Sequence, residues 1–220
     1  MKKLLTLSII IFIAFSISAQ KLTINQDEYF EMPGLNVMVF YDIYPEGHQG
    51  AIGIIQNGTR VATNGDIRLE PTPGQWQPIP KTGKREVFPE NNEIRINCSF
   101  PDESKNAKGF NPIYYPDLNF SYNVRVFGEG ENFRIVIDLE EPLPDEWIGK
   151  VGFNLEFFPA MLFGKSWYLD KKSGIFPLQA NGPMQKDADG NWQAFPIASG
   201  KKLTIAPDVA EQTMIITSLK

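Results

Sequence analysis

Cysteine and histidine are nearly absent: each occurs once in 220 residues. A single thiol, Cys98, closes no disulfide within the chain, so stability must come from an apolar core rather than from covalent staples. A single imidazole, His48, excludes zinc centres built on several His and Cys ligands. Basic charge is also short. Lys and Arg number 21 against 26 Asp and Glu, a formal charge of −5. Setting aside Lys2 and Lys3 makes this −5 − 2 = −7. Such a chain lacks the clustered cations that phosphate backbones require, so no nucleic-acid partner is expected. Apolar runs after residue 19 are short and broken by Gly, Pro or charge, and none reads as a membrane span. A sustained helical stripe with a capping box, an internal repeat, a low-complexity tract and a splitting linker are absent as well.

What is present begins with an export signal. Residues 1–19, MKKLLTLSIIIFIAFSISA, carry Lys2 and Lys3, then an apolar run from Leu4 to Phe15, then the small residues Ser16, Ser18 and Ala19. The run falls below the roughly 20 residues of a transmembrane helix, and the pattern is that of a secretory signal peptide cleaved before Gln20. The expected product is an exported, periplasmic or extracellular protein forming a single β-sandwich domain over residues 20–220.

Strand periodicity dominates that segment. "GLNVMVFYDIY", "EIRINCSF", "NFSYNVRVFG", "NFRIVIDLE", "KVGFNLEFF", "KKLTIAP" and "TMIITSL" are strand-length runs rich in Val, Ile, Phe and Tyr, bounded by Gly, Pro, Asn or Asp. "FGEGENF" predicts a hairpin turn, and "PLPDEWIGK" at most one helical turn. Short strands about ten residues apart indicate an all-β, two-layer immunoglobulin-like sandwich. The prolines of "EPTPGQWQPIPKTG" would stiffen a long exposed loop. Alternation in "EIRINCSF" makes Cys98 a buried structural thiol.

Candidate chemistry is sparse. "YPEGHQG" brings His48 close to Glu46 and Asp42, yet no G-x-S-x-G and no second histidine accompany it. A catalytic imidazole needs a nucleophile or metal within reach. The polar cluster Asp42, Glu46, His48 and Gln49 therefore reads as a turn that braces the fold or faces a partner. Asp42, Glu46, Asp138, Glu156 and Asp170 offer carboxylates, but no spacing singles out the facing pair, roughly 5 to 10 Å apart, that glycosidases use. "DADGNW" has its glycine at the fourth position and Ala198 at the twelfth. An EF-hand loop needs Gly sixth and Glu twelfth, so this is a turn between strands and no metal is implied. Aromatics give the sharper route to a ligand, because Trp and Tyr rings stack on the apolar faces of sugars. Trp76, Tyr114, Tyr115, Trp167 and Trp192 are the carbohydrate-binding candidates. The alternative for each is packing within the sandwich or against a neighbouring domain.

Five blocks, "YFEMPGLNVMVF", "YPEGHQGAIGIIQNGTRVATNGDIRLEPTPGQWQPIP", "FNPIYYPDLNFSYNVRV", "GKVGFNLEFFPAMLFGKSWYLD" and "GIFPLQANGP", lie between Tyr29 and Pro183, in a resemblance that runs over about residues 29 to 217. Together they resemble the N-terminal region of large secreted bacterial glycoside hydrolases of the family 9, cellulase-like type. The resemblance implies an immunoglobulin-like sandwich ahead of an (α/α)₆ catalytic barrel that carries the family's water-activating Asp and general-acid Glu. The sequence ends at "MIITSLK", with no segment matching that barrel. No catalytic residue carries over, and no cofactor is implied. The expectation is a non-catalytic accessory module whose partner is a glycan or a catalytic glycoside hydrolase domain. The alternatives are a stand-alone carbohydrate-binding protein and a small hydrolase using paired carboxylates.

Overall fold

Strand runs in the sequence become antiparallel ladders in the computed structural model, which describes residues 20–41, 51–69, 80–106, 115–178, 184–186, 188–190, 192–194 and 197–219. The first sheet contains β1 (Thr23–Ile24), β2 (Phe30–Met32), β3 (Leu35–Val39), β4 (Ile52–Gln56), β5 (Thr59–Leu69) and β10 (Val151–Phe157), in the order β1-β2-β3-β4-β5-β10. The second is a meander of β6 (Lys81–Phe88), β7 (Glu93–Phe100), β8 (Phe120–Glu129) and β9 (Asn132–Leu139). A third sheet, not anticipated from the sequence, orders β12 (Lys172–Ile175), β11 (Ser166–Leu169), β15 (Lys202–Ile205) and β16 (Met214–Thr217) as β12-β11-β15-β16. A small hairpin pairs β13 (Met184–Lys186) with β14 (Trp192–Ala194). The α-helix α1 (Pro159–Leu162) is a single turn. The fold is all-β, a sandwich, as the periodicity requires. Among the described residues, no helix is long and apolar enough to cross a membrane.

The core lies between the first two sheets. In β7 and β8 every second residue points inward: Ile94, Ile96, Cys98 and Phe100, then Phe120, Tyr122, Val124 and Val126, all buried. They meet Phe30, Val37, Val39, Ile52, Ile67 and Leu69 from the first sheet. Each large side chain buried in this way contributes about 1.5–3 kcal/mol of transfer free energy. Cys98 is buried as its strand alternation predicts; burial, with the Asp66 carboxylate nearby, pushes its thiol up to about 12, so it is not nucleophilic near neutrality.

Two turns fix the register. Asn57 and Gly58 both take positive φ, at 49° and 74°, which closes β4 and β5 in a two-residue hairpin. Gly130, also at positive φ, turns β8 into β9, the hairpin that "FGEGENF" predicts. The last residues of "EPTPGQWQPIPKTG", Lys81 to Gly83, belong to β6, where Lys81 pairs with Ser99; the loop expected before them falls on residues 70–79, which lie outside the described ones.

Asn92 fastens the N-terminal strand to the second sheet. Its side-chain amide donates to the carbonyls of Leu22 (2.8 Å) and Gly128 (2.9 Å), and its Oδ1 accepts from the Ile24 N–H (3.0 Å). This requires a glycine at 128. A Cβ there would stand 2.3 Å from Asn92 Nδ2 and 2.5 Å from the Leu22 carbonyl oxygen. Gly128→Ala is therefore expected to lower stability by about 1–3 kcal/mol, read as an earlier urea midpoint. An unchanged midpoint would mean that the Asn92 clamp is not under this steric limit.

Candidate functional site

The candidate site is the outward face of the third sheet, and strand parity decides which side chains occupy it. In β11, "SWYL", adjacent aromatics must point to opposite faces. Trp167 points inward. It pairs in register with Gly174 and Ile205, is 8% exposed, and packs so tightly on Gly174 that a Cβ there would lie 2.6 Å from its ring. Leu169, Leu203, Ile205 and Met214 share that inner side by register. Tyr168 points outward and is 48% exposed. Register places Ser173, Thr204 and Ile215 beside it across the sheet, and Ile175 opposite Ser166 on the same face. Ile175 is 68% and Ile215 60% exposed, so apolar side chains stand in solvent on strands at both edges of the sheet. Asp208 braces the margin of this face by accepting a hydrogen bond from the Ser166 hydroxyl.

The sheet is held onto the sandwich from its other side. Gln56 Nε2 donates to the Thr213 carbonyl (3.3 Å) and Asn57 Nδ2 to that of Glu211 (2.7 Å), both from the β4–β5 hairpin. Met161 of α1 and Met214 of β16 pack on a second apolar cluster of Ile54, Val61 and Ala62. With one face anchored, the other is free to present Tyr168, Ile175 and Ile215.

The residues singled out from the sequence are dispersed. Asp42, Glu46, His48 and Gln49, together with Trp76 and Tyr114, lie outside the described residues. Tyr115 is half-buried at the end of the core. Its ring tilts against Phe100 at 5.8 Å and its N–H donates to Asn106 Oδ1. Trp192 lies on β14 opposite Lys186. Gly190, at φ 82°, supplies the turn expected in "DADGNW". Trp167 takes the packing alternative, because the ring that would stack a sugar is buried against its own sheet. Sequence reasoning passed over Tyr168, Ile175 and Ile215, whose orientation depends on a register that no local pattern reveals.

Of the candidate carboxylates, the three among the described residues are engaged in bracing. Asp138 accepts from Arg125 (3.3 Å), and Glu156 from Arg68 (2.6 Å) and Asn64 (2.8 Å). Asp170 accepts the N–H groups of Lys201 and Lys202, each at 2.9 Å, and these bonds hold its carboxyl below the usual range. Glu93 is the buried acid of the second sheet. Burial alone would raise it, but hydrogen bonds from Arg125 (2.7 Å) and Arg95 (3.0 Å) outweigh that and leave it lowered. The Arg95 guanidinium stacks on Phe88, while Arg125 and Arg134 stack on Phe127, so this outer face is tied down by its own side chains. Among the described residues, no group of three or more His, Cys, Asp or Glu is placed to hold a metal ion.

Comparison with known proteins returns no relative: no family model matches the chain, and no curated protein or solved structure matches it either.

The two neighbours in β11 give opposite expectations. Trp167→Ala is expected to cost about 3–5 kcal/mol by leaving a cavity in the third sheet, whereas Tyr168→Ala should stay within about 0.5 kcal/mol of the parent. Denaturant unfolding of both variants checks the assignment, and a reversed order would contradict it.

Proposed function

We propose that this chain is a non-catalytic accessory module of an exported glycan-degrading protein, and that it docks a partner domain through the outward face of the third sheet. The observation that carries this reading is the group formed by Ile175, Tyr168 and Ile215, apolar and aromatic side chains exposed on one face and interleaved with Ser173 and Thr204. Singly exposed apolar residues are ordinary, but several on one face suit a contact surface. The resemblance of five sequence blocks to the N-terminal region of family 9 glycoside hydrolases supplies the class of partner, a catalytic glycoside hydrolase domain. The bracing roles of Asp138, Glu156 and Asp170 fit a module whose acids hold its own structure. Each is already spent on a guanidinium or on backbone N–H groups, which is not how a general acid is held ready.

A second reading has one observation in its favour. Tyr168 offers a half-exposed ring beside the hydroxyl residues Ser173 and Thr204, a combination that can stack and hydrogen-bond a sugar. In that case the chain would be a carbohydrate-binding protein in its own right.

Incubating the purified chain with a panel of soluble and insoluble polysaccharides, with reducing-sugar release measured in the same tubes, separates these readings. The docking module is expected to be neither retained nor active. Retention without release, lost in Tyr168→Ala, would transfer the assignment to carbohydrate binding. Release of reducing sugar would overturn the non-catalytic reading altogether.

A further inference from the structure

A carboxyl and a phenol meet across the two sheets of the sandwich. Tyr122, on β8 of the second sheet, is fully buried, and its hydroxyl donates to Asp66 Oδ1 at 2.9 Å. Asp66 belongs to β5 of the first sheet, and the same oxygen accepts the Ile67 N–H at 2.7 Å. Most of the contact between these sheets is hydrocarbon, so the bond is a polar crossing in an apolar seam. The groups around it are few. Cys98 on β7 also interacts with the Tyr122 hydroxyl and stays neutral. On β5 itself, Arg68 is the nearby cation, and it is drawn to Glu156 of β10 at 2.6 Å. The residue of β10 paired with Asp66 is the uncharged Asn154.

We propose that Asp66 and Tyr122 form a pH-sensitive strut between the two sheets, which makes the sandwich harder to unfold when its surroundings become mildly acidic. Both bonds fall on Oδ1, so a proton taken up on Oδ2 leaves them in place and removes the charge from the seam. Ionisation keeps the bonds and restores the charge on a half-buried carboxylate set against the fully buried Tyr122, a costly state where water is partly excluded. Burial raises the Asp66 carboxyl from 3.8 to about 6, against the lowering effects of the Ile67 N–H, the Tyr122 hydroxyl and Arg68. The folded chain therefore binds this proton more tightly than the unfolded chain. Stability contributed by Asp66 is full below about pH 4 and is lost as pH rises through about 6.

The test is the pH dependence of unfolding for the parent and for Asp66→Asn, whose amide oxygen still accepts both bonds but cannot ionise. Between pH 7 and pH 4 the unfolding constant of the parent should fall about fiftyfold relative to that of the variant. Parallel profiles would overturn the proposal. Should the variant fail to fold, ¹³C NMR titration of the Asp66 carboxyl in the parent decides. A midpoint near 6 supports the strut, and one near the ordinary value of about 3.9 refutes it. Tyr122→Phe removes a donor to the ionised form and should move that midpoint further up. An unmoved midpoint would show that the hydroxyl takes no part.

Discussion

Burial of the inner face of the second sheet against the first is the constraint from which most of the molecule follows. β7 and β8 contribute eight inward side chains in strict alternation, and a one-residue slip would send all of them into water. The register that prevents the slip has consequences on both faces. It places Tyr122 where its hydroxyl must find a partner inside the seam, and Asp66 is that partner. It also places Glu93, Arg95 and Arg125 together on the opposite face, where the acid is buried under two guanidinium groups. With no disulfide available, this hydrocarbon seam and the side-chain ties at its margins, Asn92 above all, hold the sandwich together.

The third sheet repeats the same rule on a smaller scale with a different outcome. Its inner face is closed by Trp167, Leu169 and Ile205, and the β4–β5 hairpin and α1 anchor it to the sandwich. Its outer face has no layer over it among the described residues. Parity in the sequence "SWYL" thus separates a packing residue from a presenting one at adjacent positions. The proposed function depends on that separation, since a docking face must be dispensable to the fold that displays it.

The core was largely legible in the sequence. "EIRINCSF" is β7 from its first residue to its last, and "NFSYNVRVFG" and "NFRIVIDLE" become β8 and β9 with ends shifted by a residue or two. Their alternation is clean because one face of the sheet is buried and the other wet. β5 was not legible. The dipeptide Asn-Gly occurs twice within ten residues and does two different things. At Asn57-Gly58 it closes a hairpin, whereas at Asn64-Gly65 it sits inside an eleven-residue strand, with Gly65 tight against Ile52. Local propensity treats the two alike, and only the pairing partner distinguishes them. The site was less legible for a related reason. β11, β12, β15 and β16 are four residues long, too short for alternation to declare a face, and both Ile215 and Ile216 are apolar. Single-residue prominence favoured Trp167, whereas register favours its neighbour.

The most direct measurement is the behaviour of a variant carrying Ile175→Lys, Tyr168→Lys and Ile215→Lys together, compared with the parent for unfolding midpoint and for binding of a dye that reports exposed apolar surface. If the outer face of the third sheet is a contact surface that the fold does not need, the midpoint will stay close to the parent's and dye binding will fall. Cooperative unfolding at a much lower midpoint would show instead that these side chains belong to the core, and would contradict the assignment of this face to a partner.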